Sequence, residues 1–135
     1  MRQNLIRTER IAASYDVVNG WTVLEIDGEI DVHTQSAIRE AVAGLLREGH
    51  RHFVLDLCFV PFLDSTALGA VVAITKRIRG YGGTMRIACH SGRMLKVFLY
   101  GGLSDAYEFY DSPHEATYQK PSSADYVREP EGFDH

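Results

Sequence analysis

Asp64-Ser65-Thr66 is the stretch of this 135-residue sequence whose residue types could carry a chemical event. A short apolar run precedes it and apolar residues at helical spacing follow it, so a predicted strand delivers a hydroxyl to the start of a predicted helix. The first N–H groups of a helix lack partners and the helix dipole is positive there, which favours an anion or an added phosphate. The local pattern is equally satisfied by helix capping, which stabilises by about 1 kcal/mol.

A nucleophilic role for Ser65 has weak support from motifs. The Gly-x-Ser-x-Gly elbow requires a glycine two residues before the serine, which is absent here, and no histidine can be assigned as a base. Neither glycine-rich phosphate-binding motif occurs, and the six histidines form no spaced ligand set. The sequence therefore predicts no catalytic residue, no cofactor and no metal site.

Composition restricts the class of protein further. The net charge of −4 disfavours nonspecific binding to nucleic acid or to an anionic membrane, and no apolar segment approaches the roughly 20 residues of a membrane span. The N-terminus lacks the apolar region of a secretory signal, so a cytoplasmic location is expected. Cys58 and Cys89 lack metal-ligand spacing and are predicted to be buried, reduced thiols.

Two strands joined by Asn19-Gly20 are predicted to open the domain. Ile11–Val18 and Trp21–Gly28 are rich in strand-forming residues, and Asn-Gly is the preferred pair for a type I′ hairpin turn. Farther along, Phe53–Leu57 is a nearly unbroken apolar run, which is typical of a central strand covered on both faces.

Helical patterns alternate with the later strands. Thr34 is predicted to cap a helix that Gly49 closes, and a second helix begins at Ser65 and stops at Gly80. A strand over Met85–Cys89, a helix capped by Ser91, a strand over Ala106–Tyr110 and a final helix of uncertain length, which begins at the capping box Ser112-Pro113-His114-Glu115, complete the order. The aromatic residues of the Ala106–Tyr110 strand are expected to fill the core.

This order predicts a single α/β domain with a mostly parallel sheet, opened by a β-hairpin, and packed helices. Residues 1–10 form an N-terminal segment, 11–118 form the domain, and 119–135 are expected to be a flexible tail, since from Pro121 onward the sequence is polar and without a period.

Two predicted strand-to-helix junctions fall at the same edge of a parallel sheet. Their sequences, Gly28-Glu29-Ile30-Asp31-Val32-His33-Thr34 and Phe62-Leu63-Asp64-Ser65-Thr66-Ala67-Leu68-Gly69, resemble the two signature segments of the STAS family, specifically the bacterial anti-sigma factor antagonists. The resemblance covers most of the chain, and Ala67 is a departure because glycine is usual there. Alanine favours the helix, but its added methyl could alter how closely a partner approaches.

The resemblance implies that Ser65 is a regulatory phosphoserine beside the acidic positions Asp31 and Asp64. The unphosphorylated protein would bind an anti-sigma factor that is also a serine kinase, and would thereby free a sigma factor. Phosphorylation would release the complex and a serine phosphatase would reset it. The implied contact surface consists of Asp31, His33, Thr34, Asp64, Ser65, Thr66 and Leu68.

The charge of a phosphate suggests how such a switch would work. It adds about −1.5 to −2 charges to a surface where two carboxylates are expected, so a partner shaped for a neutral hydroxyl would lose affinity. Thr66 is the first alternative site of modification. The alternative functions are a STAS adaptor subunit in another signalling or transporter-associated complex and, with weaker support, a small serine hydrolase. No direct contact with nucleic acid or membrane is expected.

Overall fold

A computed structural model describes residues 2–122 and contains one six-stranded sheet with helices on both faces. The elements in chain order are β1 (Gln3–Arg7), β2 (Ile11–Val18), β3 (Trp21–Gly28), α1 (Gln35–Arg47), β4 (His52–Phe59), α2 (Ser65–Gly80), β5 (Thr84–Ala88), α3 (Gly92–Tyr100), β6 (Glu108–Tyr110) and α4 (Pro113–Ala116). The strands lie side by side in chain order. No helix within residues 2–122 is long and apolar enough to cross a membrane.

The predicted hairpin is confirmed. β2 and β3 pair antiparallel, and both turn residues have positive φ, at 52° for Asn19 and 85° for Gly20. The hairpin does not open the sheet, however, because β1 precedes it and pairs antiparallel with β2. β1 was not predicted, because Gln3–Arg7 shows little alternation of apolar and polar residues. An edge strand pairs on one side only and does not need a fully buried face.

From β3 onward the sheet is parallel, as the strand and helix order predicts. β4 is the buried central strand expected from its apolar run, and its residues 53–57 are all buried. Its pairing with β3 extends to Asp27 and Phe59, so these two strands end side by side. The segments that follow β3 and β4 therefore leave the same edge of the sheet.

The main core lies between the sheet and the helices α1, α2 and α3. Ile38, Ile74 and Phe98, one from each of these helices, belong to the same buried cluster as Leu24 and Leu55 of the central strands. The clustering follows from the sequence because the apolar residues of each helix recur at helical spacing and form one buried face.

The other face of the sheet is covered by α4 and the residues that follow it. Trp21 is fully buried there, and its indole Nε1 donates to the carbonyl of Gln119 at 2.8 Å. Arg86 is also buried, with its guanidinium 4.3 Å from the Trp21 ring centre and 5.2 Å from that of Tyr110, and it donates to the carbonyl of Ala116. Cation–π contacts and this hydrogen bond therefore accommodate a charged side chain in an aromatic environment.

Several predicted elements have different limits in the structure, and β5 is Thr84–Ala88 rather than Met85–Cys89. β6 begins at Glu108 rather than Ala106, because Tyr107 leaves the strand and its hydroxyl bonds to that of Thr75 in the core at 2.8 Å. α4 is a single turn, with Ser112 accepting from the Glu115 N–H as its sequence predicts. Of the predicted tail, residues 123–135 lie outside the described residues.

The two cysteines are free, but only Cys89 is fully buried. Cys58 is half-buried because it follows the buried part of β4, so the prediction of burial was wrong for this residue in degree. Burial raises the pKa of Cys89 to about 11 and that of Cys58 to about 12, and Asp56 adds to the effect at Cys58. Both thiols are therefore neutral at physiological pH.

Gly28→Ala should destabilise the fold more than Gly49→Ala. Both glycines have positive φ, but a Cβ on Gly28 would lie 2.4 Å from the Arg10 carbonyl oxygen, whereas the space around Gly49 is open. We expect Gly49→Ala to lower the free energy of unfolding by about 1–2 kcal/mol and Gly28→Ala to lower it by about 2 kcal/mol more, as measured by urea denaturation. Equal losses would contradict the close approach of Arg10 to Gly28.

Candidate partner-binding site

The predicted site residues lie in two segments at one edge of the sheet. Asp31, His33 and Thr34 belong to the loop between β3 and α1, which spans residues 29–34 and is called the first loop below. Asp64 and Ser65 form the junction between the loop after β4 and α2. No hydrogen bond or ion pair between residues of these two segments occurs in the described part of the chain, so the sheet register alone makes them neighbours.

Ser65 is the first residue of α2 and its side chain is exposed. Asp64 is the N-cap, and its Oδ1 accepts from the Ala67 N–H at 2.8 Å. Within residues 2–122 the Ser65 hydroxyl makes no hydrogen bond, and a histidine base is therefore not in contact with it. A solvent-facing hydroxyl thus stands at the positive end of a 16-residue helix.

Asp31 organises the first loop from within. Its Oδ1 accepts from the N–H groups of His33 and Thr34 at 2.8 and 3.0 Å, and its Oδ2 accepts from Arg10 Nη2 at 2.6 Å. Partial burial of the Asp31 carboxyl raises its pKa, but the two N–H donors and the Arg10 guanidinium outweigh that effect, and the pKa lies below its ordinary value. Asp31 is therefore ionised and fully engaged.

Thr34 is buried, with a relative exposure of 5%, although the sequence places it on the contact surface. Its hydroxyl donates to the carbonyl of Glu29 at 2.7 Å and accepts from the Asp31 N–H at 2.9 Å. The predicted side-chain cap on α1 is absent for the same reason, because the hydroxyl is turned into the loop. Thr34 therefore holds the loop together and offers a partner no direct side-chain contact.

The methyl group of Ala67 is also buried. It lies in the core beneath α2 and is not itself exposed to a partner, so its effect on how closely a partner approaches stays a prediction. Thr66 and Leu68 are half-buried, and Leu68 packs closely against Gly101 at the end of α3. The exposed predicted residues of the site are therefore His33, Asp64 and Ser65.

Three large apolar side chains at this edge were not predicted as part of the site. Val32 is 66% exposed, Phe59 is 55% exposed and Phe62 is 48% exposed. They lie in the first loop, at the end of β4 and just before Asp64. Exposed apolar residues in neighbouring segments are typical of a surface that binds another protein. Apolar residues within otherwise turn-like stretches are the sequence signal that could have identified them.

Two concavities border the site without including Ser65. A groove of about 390 Å³ is lined by Ile6, Thr8, Glu9, Arg10, Ile11, His33, Thr34 and Ala37. A smaller cavity of about 50 Å³ lies between the loop after β4 and the start of α3. Residues 2–122 contain no cluster of three His, Cys, Asp or Glu residues arranged to hold a metal ion.

The fold and the two edge segments are those of a known family. The STAS domain model matches residues 12–116, so the chain belongs to the STAS domain family. The match begins after β1 and after the turn that carries Arg10. The anti-sigma-B factor antagonist of Bacillus subtilis (strain 168) is 33% identical over 84 residues, which are 61% of this chain and 74% of that protein.

Solved structures share the fold. An anti-sigma factor antagonist from Mycobacterium paratuberculosis aligns with a TM-score of 0.70 and 22% identity, over 83% of this chain and 95% of that chain. The Bacillus cell fate determinant SpoIIAA in its phosphorylated form aligns with a TM-score of 0.57 and 21% identity, over 86% of this chain and 96% of that chain. These two likenesses establish the architecture.

Asp31→Asn should reduce stability at neutral pH and not at strongly acidic pH. Because the folded pKa is below the ordinary value of 3.8, the ionised carboxyl stabilises the fold above that value, and this contribution is lost as the pH falls through the folded pKa. Urea denaturation between about pH 7 and pH 2 should show the variant and wild type converging at the acidic end. The control is Asp27→Asn, because the exposed Asp27 carboxyl makes no hydrogen bond or ion pair within residues 2–122. A constant difference for Asp31→Asn at every pH would argue against an ionic role.

Asp64→Ala should lower the free energy of unfolding by about 1 kcal/mol, because the first turn of α2 loses its side-chain cap. Asp64→Asn keeps an oxygen that can accept from the Ala67 N–H, so its loss should be smaller. Thermal or urea denaturation of both variants measures the difference. If both variants lost the same stability, the carboxylate charge would matter more than the cap.

Proposed function

We propose that the chain is an anti-sigma factor antagonist whose unphosphorylated form binds an anti-sigma factor, and that phosphorylation of Ser65 ends this binding. The observation that carries the proposal is an exposed, unbonded hydroxyl at the first position of α2, beside exposed apolar side chains. Family membership and the similarity to the Bacillus subtilis anti-sigma-B factor antagonist support it. The chain acts in this proposal by binding and not by catalysis.

The apolar side chains provide the attraction in the complex. Burying Phe59 and Phe62 against a partner removes apolar surface from water, at about 25 cal/mol per Å² before the costs of association. Ser65 follows the exposed Phe62 by three residues, so in this proposal a partner that covers the aromatic rings also encloses the hydroxyl. A neutral hydroxyl is far less costly to enclose than a charged group.

Phosphorylation changes the charge of the proposed contact surface at Ser65 only. Both carboxylates of the site are already engaged, Asp31 with Arg10 and Asp64 with the start of α2. A phosphate on Ser65 adds about −1.5 to −2 charges, and none of the residues named for the contact surface is a lysine or an arginine. The helix start stabilises the phosphate in the free protein by about 0.3–1 kcal/mol, whereas desolvation in the complex opposes it. Phosphorylation therefore favours the free state.

The kinase and the phosphatase complete the proposed cycle. The anti-sigma factor, acting as a serine kinase, transfers the γ-phosphoryl group of its bound ATP to Ser65 Oγ, with ADP as leaving group and loss of the hydroxyl proton. A serine phosphatase then adds water across the phosphoester bond and returns the hydroxyl and inorganic phosphate. This chain contributes an accessible acceptor, and the kinase holds the nucleotide and its metal ion.

Ser65→Ala should abolish phosphorylation while preserving the fold, because the side chain makes no hydrogen bond within residues 2–122. Thr66→Ala is the matched control and should be labelled normally. The measurement is incubation of the purified chain with host lysate and ATP, followed by mass spectrometry of the phosphoresidue and of the captured partner. Stoichiometric labelling of Ser65→Ala at another residue would move the site, with Thr66 examined first.

Ser65→Asp should weaken binding to the captured anti-sigma factor by about tenfold or more, whereas Ser65→Asn should bind more nearly like wild type. The two side chains have the same size and differ in charge, and a tenfold change corresponds to 1.4 kcal/mol. Titration calorimetry with purified partner gives both dissociation constants. Similar weakening by both substitutions would indicate a steric mechanism in place of the electrostatic one.

A further inference from the structure

We propose that Arg10 is a positioning residue for the partner-binding surface, and that it acts by holding the first loop through Asp31. The inference rests on the proposed function, in which the first loop contacts the anti-sigma factor. Arg10 lies in the turn between β1 and β2, before the residues matched by the family, and no sequence motif points to it.

The contact that carries the proposal is the ion pair between Arg10 and Asp31. Arg10 Nη2 lies 2.6 Å from Asp31 Oδ2, while Asp31 Oδ1 is occupied by the N–H groups of the first loop. The carboxylate thus connects two separate parts of the chain, with the loop on one oxygen and the turn on the other. Within residues 2–122 this is the one side-chain hydrogen bond between the turn, residues 8–10, and the first loop.

The turn itself is fixed well enough to place the guanidinium. Thr8 Oγ1 accepts from the N–H groups of Arg10 and Ile11, and the Thr8 N–H donates to the Ile11 carbonyl at 2.9 Å. Ile11 pairs in register with Gly28, and the absence of a side chain on Gly28 lets the Arg10 carbonyl approach closely. The backbone of Arg10 is therefore held at the point where the first loop begins.

The part of the first loop that needs this support is its tip, because Ile30 and Thr34 on either side of the tip are already buried. The groove lined by Arg10 and His33 separates the turn from the start of α1, so the two are not packed directly together there. Val32 and His33 at the tip of the loop are exposed. A loop that is fixed before binding loses less conformational entropy when a partner docks. Arg10 therefore affects affinity without touching the partner.

The size of the effect follows from the exposure of the pair. The Arg10 side chain is 56% exposed and that of Asp31 is 22% exposed, and ion pairs of this kind contribute little to global stability. We expect Arg10→Ala to weaken binding of the anti-sigma factor about fivefold, with nearly unchanged thermal unfolding. Arg10→Lys keeps the charge and should recover part of the loss.

The experiment uses the full chain and the anti-sigma factor captured by wild type, with titration calorimetry at about 0.15 M salt. Arg7→Ala is the matched control, because it removes a neighbouring exposed positive charge whose side chain makes no hydrogen bond or ion pair within residues 2–122. In an Asp31→Asn background, Arg10→Ala should cause no further loss, since the route through the carboxylate is already broken. Amide hydrogen exchange of His33 and Thr34 in the free protein should become faster in Arg10→Ala and remain unchanged in Arg7→Ala.

The outcomes separate this inference from the proposed function. If Arg10→Ala bound the anti-sigma factor with the affinity of wild type and showed unchanged amide exchange, the role of Arg10 would be overturned. The proposed function would remain intact. Equal weakening by Arg7→Ala would overturn it too, because the effect would then be one of general charge. If wild type captured no anti-sigma factor, the proposed function would fail, and the exchange measurement alone would decide whether Arg10 holds the loop.

Discussion

The parallel pairing of β3 with β4 is the constraint on which the rest of the site depends. Its register runs to Asp27 and Phe59, so two loops that are more than 30 residues apart in sequence leave the sheet together. Parallel strands require a crossover between them, and the amphipathic helix α1 supplies it while burying its apolar face in the core. The surface that we propose as the switch is thus built by the same pairing that builds the core.

The residues of the site fall into two groups: some hold the backbone in place through hydrogen bonds, and others are exposed on the surface. Asp31 and Thr34 are engaged inside the first loop, and Asp64 caps α2, so these polar groups maintain the backbone. The Ser65 side chain is exposed and makes no hydrogen bond within residues 2–122, and Phe62 is also exposed. The Ser65 hydroxyl is therefore a position of the proposed contact surface where charge can change without disturbing a hydrogen bond among the described residues. A switch built this way needs no refolding.

Local sequence patterns predicted the elements whose signals are strong and short in range. The Asn19-Gly20 turn requires positive φ at both positions. Asp64 caps α2 and Ser91 caps α3 through side-chain hydrogen bonds. The edge strand β1 escaped this reasoning because only Leu5 and Ile6 of its five residues pack against the core, which is too short an apolar pattern to identify a strand. The burial of Arg86 escaped it as well, since the aromatic rings that enclose its guanidinium come from two other strands.

The sequence by itself determined the class of fold, the order of strands and helices from β2 onward, and the position of Ser65 at the start of a helix, because periodicity, turns and caps are local properties. Only the tertiary structure decided which groups of the site face a partner. The resemblance grouped Asp31, Thr34 and Ser65 together, yet folding buries Thr34, joins Asp31 to Arg10 and leaves Ser65 exposed. The physical reason is that burial and ion pairing depend on residues brought together from distant parts of the chain, which a linear pattern does not specify.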